Sequence, residues 1–263
     1  MTLAQLRADV LVVRALGWRS IRNTFRRPQY LAPLVIFPTL FLAVNTGGAG
    51  AAVRLDGFPE VHGFLDFQLA SGMLQSTMLA AVMGGTGLAM DIELGFTDRL
   101  FAAPISRPAI VLGRLAATFV MGCFAACWFL AIGLIFGAWI KGGPIGAIVV
   151  ILMAGLCATA FGGIAAALAL KSGTTSVVQG TFPLVFVIMF LSSAFFPVDL
   201  MAEPAQTIAR LNPLSFVADG LRQPIITGLS THVFLSALLG VAVIGTIGFV
   251  TSGLALRGRL KAN

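Results

Sequence analysis

The sequence predicts an all-α membrane protein. It has six transmembrane helices, an N-terminal interfacial amphipathic helix, a short polar helix between spans 2 and 3, and a partly embedded outer segment between spans 5 and 6. Three observations predict this. First, 58% of the 263 residues are hydrophobic, 10% are charged and the mean hydropathy is +0.97, whereas a soluble domain carries about 25% charge. Second, residues 31–53, 67–90, 115–140, 142–170, 172–198 and 223–256 contain no Asp, Glu, Lys or Arg, and a spanning helix needs roughly 20 apolar residues. Third, the basic residues fall on one side of the layout those runs impose.

With the N-terminus inside, Arg7, Arg14, Arg19, Arg22, Arg26, Arg27, Arg99, Arg107, Arg114, Lys171, Arg257, Arg259 and Lys261 are cytoplasmic. Arg54, Lys141, Arg210 and Arg222 are outside. This bias is the one that orients membrane proteins, with cytoplasmic loops rich in Lys and Arg. Both termini are then cytoplasmic, in a cytoplasmic (inner or plasma) membrane. The net charge of +7 reflects that sidedness, and no nucleic-acid module is evident. A cleavable signal peptide is not expected, because the first 30 residues are Arg-rich and lack a short apolar core.

Residues 3–27 group Leu6, Val10, Val13, Leu16 and Ile21 on one helix face and Arg7, Arg14, Arg19, Arg22 and Arg26 on the other. That pattern predicts a helix lying on the inner leaflet. Span 1 tolerates Pro33 and Pro38, because neighbouring helices can satisfy the freed backbone groups. A short outer loop at 54–66 leads to span 2. "MDIELGFTDRLFAAPISRPAIVLGR", Met90–Arg114, follows as a polar island with three acids in eight residues. Carboxylates are costly at the bilayer centre, so span 2 ends near Met90 and Pro104 ends a short helix. Leu94, Leu100 and Phe101 give it an apolar side; Asp91, Glu93, Asp98 and Arg99 give it a charged rim. Chemistry alone leaves two roles open, a helix docked in a partner's groove or a solvated loop against the leaflet.

Spans 3 and 4 join through a tight turn at Lys141–Pro144. Residues 195–224 carry five charges and four prolines yet stay moderately apolar, which predicts short helices dipping into the outer leaflet, covered by protein or water. Span 6 and a cytoplasmic tail at 257–263 complete a single transmembrane domain over 1–263, with 1–28 as the interfacial helix and 31–256 as the bundle.

Enzyme chemistry finds little support. His62 and His232 are the two histidines, neither in a nucleophile or metalloprotease motif. Cys123, Cys127 and Cys157 read as apolar packing, and no metal site is expected. No GxxxxGK[ST] phosphate loop occurs, so no cofactor is expected in this chain. An ion-coupled carrier or channel usually keeps ionisable groups at mid-membrane, and the six runs have none. Their polar candidates are Asn45, Gln75, Ser76, Gln179, Thr181, Ser192 and Ser193.

The island resembles the coupling-helix region of ABC-2 type export permeases. The matching residues are Glu93, Gly95, Leu100, Pro104, Ile105, Ser106, Arg107, Gly113 and Arg114. "LSSAFFPVDLM" and "ARLNPLSFVADGLR" resemble the same family's outer segment, so the likeness covers essentially the whole chain, nearest to the daunorubicin and multidrug branch. The resemblance implies a permease subunit of an ATP-driven exporter, moving a hydrophobic or amphiphilic drug-like cargo outward. It implies a separate nucleotide-binding ATPase that holds ATP and Mg, and a second permease copy or homologue. It makes Asp91, Glu93, Leu94, Gly95, Asp98, Arg99, Leu100, Phe101, Pro104 and Arg107 the ATPase-coupling residues. Phe37, Phe41, Asn45, Gln75, Gln179, Phe186 and Phe190 would line the substrate path. Export of lipid or a lipid-linked glycan is the alternative cargo.

Overall fold

The computed structural model describes residues 3–26, 28–97, 100 and 107–262. Its regular elements are helical. α1 is Leu3–Phe25, α2 Pro28–Gly48, α3 Phe64–Glu93, α4 Arg107–Ile135 and α5 Gly143–Ser172. α6 is Thr175–Gln179, α7 Phe182–Phe190, α8 Ala205–Leu211, α9 Pro213–Ile226 and α10 Thr231–Ala262. Short 3-10 turns cover Gly50–Arg54 and Val198–Leu200.

Among the described residues, five helices are long and apolar enough to cross a membrane: Leu31–Gly48, Phe64–Glu93, Pro108–Ile135, Gly143–Ser172 and Thr231–Arg259. The run expected as one fifth span, 172–198, is instead two short helices, α6 and α7. Gly180 and Thr181 turn between them, with the Thr181 hydroxyl donating to the Val178 carbonyl at 2.6 Å. Pro183 lies in the first turn of α7, where a missing N–H costs nothing. The six-span layout is therefore five long helices and one broken, shorter segment.

α3 and α5 are each 30 residues long, about 45 Å at 1.5 Å per residue. The hydrocarbon core is about 30 Å thick, so both helices project well beyond it. That projection places Asp91 and Glu93 at the end of α3 without burying a charge in lipid.

α3 is the central post. Phe67, Leu69, Met73, Leu74 and Met78 on it are almost wholly buried, against α2, α4, α5 and α9. Gly85 lets it approach α5 so closely that a Cβ there would stand 2.7 Å from the Ala165 Cβ and 2.9 Å from its carbonyl oxygen. Small residues at crossings are how membrane helices gain packing when lipid supplies no hydrophobic drive. Pro38 illustrates the neighbouring repair. It cannot donate to the Leu34 carbonyl four residues back, and the Ser76 hydroxyl of α3 donates there instead, at 2.5 Å.

α1, expected as an interfacial helix, packs against the bundle. It runs alongside the first half of α4, with Gly17 against Gly113 and Phe25 edge-on to Phe124 at 5.4 Å. The face it buries includes Gly17 and Ser20, while Val10 of the predicted apolar side is exposed, as are Leu11 and Trp18. The tail expected at 257–263 is helical to Ala262, as a continuation of α10.

Candidate functional site

The end of the bundle that carries Arg19, Arg114, Lys171, Arg257 and Arg259 also holds the polar island. α3 stops there because Gly95 adopts φ +68°, a left-handed turn favourable for glycine. Its N–H donates to the Ile92 carbonyl at 2.9 Å.

The acids of the island have partners within the chain. Asp91 accepts from Arg114 of α4 and, at 3.5 Å, from Arg19 of α1. The Arg19 guanidinium also lies 3.9 Å over the Phe96 ring. Asp91 therefore fastens α1, α3 and α4 together. Glu93 faces the other way and accepts the Thr175 N–H at 2.7 Å, at the start of α6. Between them Ile92 is buried with Leu88, Val111, Leu170 and Val178.

Leu94 is 71% exposed, next to those braced carboxylates. Leu100 does not share its surface. It lines a small cavity with Leu16, Phe96, Thr97 and Ile110, so the apolar side expected for Leu94 and Leu100 together is divided between outward and inward. Asp98, Arg99, Phe101 and Pro104 lie outside the described residues, and Arg107 opens α4.

On the expected substrate path, four phenylalanines assemble. Phe37 and Phe41 of α2 stack at 6.5 Å, and Phe37 meets Phe186 of α7 at 5.6 Å. Phe190 joins through Phe195, which lies 4.7 Å from it and 5.1 Å from Phe41. Phe37 and Phe190 are 42% and 51% exposed, so this aromatic face is open on one side. Asn45 bonds the Phe41 carbonyl of its own helix at 2.8 Å. Gln75 is fully buried in α3 with neither end of its amide bonded. Gln179 is exposed at the end of α6. The structure thus gathers the aromatic members and leaves the three amides apart. Phe182 and Phe195, which pack into the same face, were not among the residues expected on the substrate path; Phe182 recurs at the helical four-residue interval before Phe186 and Phe190.

The opposite end contains what sequence reasoning missed. Arg222 of α9, counted as an outer charge, is 7% exposed. Its guanidinium donates to Asp219 at 2.9 Å and to the carbonyls of Ser193, Ala194 and Phe67 at 2.8, 2.9 and 3.3 Å. It lies 3.8 Å over the Phe67 ring. The Ser193 hydroxyl reaches Asp219 at 2.9 Å, and Ser71 of α3 donates to the Ala194 carbonyl. Asn212 closes two helices at once. Its amide N–H donates to the Ile188 and Leu191 carbonyls at the end of α7, and its oxygen accepts the Leu214 N–H that starts α9. The signals available were the Asn-Pro helix start and the three-residue spacing of Asp219 and Arg222.

Of the outer segment's other side chains, Asp199 and Glu203 are exposed, Asp219 is half-exposed and Phe195 is buried. Phe196 and Leu200 remain 45% and 38% exposed. α9 packs against α3, α5 and α10, so this stretch is a built part of the bundle and not a solvated loop.

The sequence profile of ABC-2 type transporters matches residues 12–226, a span that includes both the polar island and the Arg222 network. The daunorubicin resistance ABC transporter permease protein DrrB1 of Streptomyces coeruleorubidus is 29% identical over 207 residues, 78% of this chain and 72% of the relative. The transport permease ycf38 of Porphyra purpurea is 30% identical over 216 residues, 80% of this chain and 72% of the relative. The ycf38 protein of Pyropia yezoensis is 27% identical over 215 residues, with the same coverage. With its apolar helices and a match over most of its length, the chain is a multi-pass membrane subunit that belongs to the ABC-2 type transporter family.

Proposed function

We infer that this chain is the permease half of an ATP-driven exporter that moves a hydrophobic or amphiphilic drug-like compound outward across the cytoplasmic membrane. The observation that carries the reading is the end of α3. There an exposed leucine, Leu94, stands on a helix that projects past the hydrocarbon, braced on both sides by Asp91 and Glu93. Such a feature suits capture by a soluble ATPase, which would hold ATP and Mg and supply the energy. Residues 91–107 are the segment it grips. Both termini and this segment are cytoplasmic.

Two permease copies would face each other across the open side of the Phe37, Phe41, Phe186 and Phe190 cluster. The aromatic lining suits an apolar, ring-bearing cargo, and the drug-resistance name of one relative supports the same class. ATP-driven closure of the ATPase pair shifts the permease pair from inward-open to outward-open populations.

Phe101→Ala, tested by pull-down, ATPase and transport assays, should detach the ATPase or uncouple it, with the permease still folded in the membrane. Binding and transport at wild-type level would place the gripped segment elsewhere. Cysteine labelling from outside, in a Cys-free background, should modify position 60 or 203 and not position 98. Accumulation of labelled lipid or glycan, and not of a drug, would move the cargo assignment.

A further inference from the structure

Glu93 and Thr175 are separated by 82 residues in the chain, yet they meet. Glu93 ends α3, which leads into the segment proposed to meet the ATPase. Thr175 opens α6, the first half of the broken fifth segment, and α6 continues through Gly180 to Phe182 and Phe186 on the aromatic face. The Thr175 N–H donates to one Glu93 oxygen at 2.7 Å, and the Thr175 hydroxyl reaches the two oxygens at 3.2 and 3.4 Å. The first N–H groups of a helix have no partner within it, and the preceding Thr174 makes no side-chain cap. The carboxylate of α3 takes that place. A charge-assisted bond of this length is among the stronger kinds. Beneath it Ile92 and Val178 pack in one buried cluster, which gives the junction an apolar floor as well as a polar tie.

We propose that Glu93, though it lies within the gripped segment, turns its carboxylate to Thr175 and not to the ATPase, as a positioning residue that passes movement of the 91–97 stretch to the fifth segment and so to the aromatic face. The proposal rests on the reading that an ATPase grips this stretch. It deepens that reading by naming the internal link through which the grip acts.

The test compares Glu93→Ala, Glu93→Gln and Thr175→Pro, alone and as the Glu93→Ala, Thr175→Pro double variant. Thr175→Pro removes the N–H and the hydroxyl together. Thr174 already sits at φ −125°, ψ 140°, the backbone a residue before proline prefers, and the first helical position accepts proline. Helix α6 is therefore kept. In reconstituted complexes, cargo moved per ATP should fall about tenfold in Glu93→Ala and in Thr175→Pro, the scale of one lost hydrogen bond to a charged group. The double variant should fall no further. Glu93→Gln, which keeps an acceptor oxygen, should retain most of the coupling, and all variants should still hold the ATPase. In the permease alone, hydrogen exchange of the Thr175 and Gly180 amides should rise about tenfold in Glu93→Ala, by the same hydrogen-bond scale. Normal coupling in Thr175→Pro, or a Gln variant as impaired as Ala with a loss that grows with salt, would overturn the proposal. Unchanged exchange in Glu93→Ala would also overturn it. If the wild-type chain captures no ATPase, the reading of the segment fails, while the exchange measurement still decides the link.

Discussion

The two ends of the bundle handle charge in opposite ways. At the basic end the acids are paired between elements, Asp91 with α1 and α4 and Glu93 with α6, yet Leu94 is left facing outward. At the other end Arg222 is turned inward and bonds to four groups of the chain. Asn212 satisfies the end of one helix and the start of the next, so polar groups there are met within the fold. A junction that keeps an apolar side chain free can still accept a partner. A junction whose polar groups are satisfied internally resists opening, because each broken bond strands a group away from water. On the proposed reading, the contrast lets one chain be gripped at one end and closed at the other.

The largest expected effect tests the closed end. Arg222→Met keeps much of the volume but strands the carbonyls of Phe67, Ser193 and Ala194 and removes the partner of Asp219. Each buried carbonyl left without its donor costs about 1–3 kcal/mol. Folded yield in membranes and thermal unfolding in detergent should both fall sharply. Arg222→Lys should recover only part, because a single ammonium cannot reproduce the planar fork. A stable Met variant would mean that this network does not hold the end together.

Next comes the Asp91 junction. Asp91→Ala leaves Arg114, whose side chain is 17% exposed, without its carboxylate, at a cost of about 2 kcal/mol. Loosening should appear first in α1, as faster proteolysis at Arg7 or Arg14, with the long helices still inserted. Arg19, whose side chain is 40% exposed, contributes less, and its share should fade with added salt.

Leu94 should behave differently from both. Leu94→Asp touches no internal partner, so unfolding should be unchanged within about 0.5 kcal/mol. ATPase capture should weaken by about 2 kcal/mol, the scale of a truncated interface anchor. An unfolding defect in this variant would show that Leu94 serves the fold, and the distinction between a free end and a closed end would collapse.

The all-helical bundle was legible because long runs without charge have one solution in lipid. The gathering of Arg19, Arg114 and Arg259 at one end of the bundle was legible as well. The break in the fifth segment was not, since Gly180 and Pro183 are ordinary in membrane helices and the carbonyls at the end of α7 are met by Asn212, from a later part of the chain. The polar island was recognisable as unusual. Its pairing was hidden, because Asp91 with Arg114 and Glu93 with Thr175 depend on which helices lie side by side. The burial of Arg222 was hidden for the same reason. A charge in a proline-rich outer segment looks wet until α9 is seen packed between α3 and α10.

The smallest effect is expected at an ion pair that closely resembles the important ones on paper. Arg210 and Asp199 approach to 3.4 Å, but their side chains are 61% and 81% exposed. Water screens such a pair and both side chains lose rotamer freedom to form it. Asp199→Asn should therefore leave the unfolding temperature of the detergent-solubilised chain unchanged, and transport should be unchanged at low and high salt. Arg222 and Arg210 lie 12 residues apart on the same outer stretch, with a carboxylate partner each. If burial and bonded carbonyls decide the strength of that end, only the Arg222 variant loses stability. A comparable loss in Asp199→Asn would instead assign the closure to surface charge, and raising the salt concentration alone would then loosen this end in the wild-type chain.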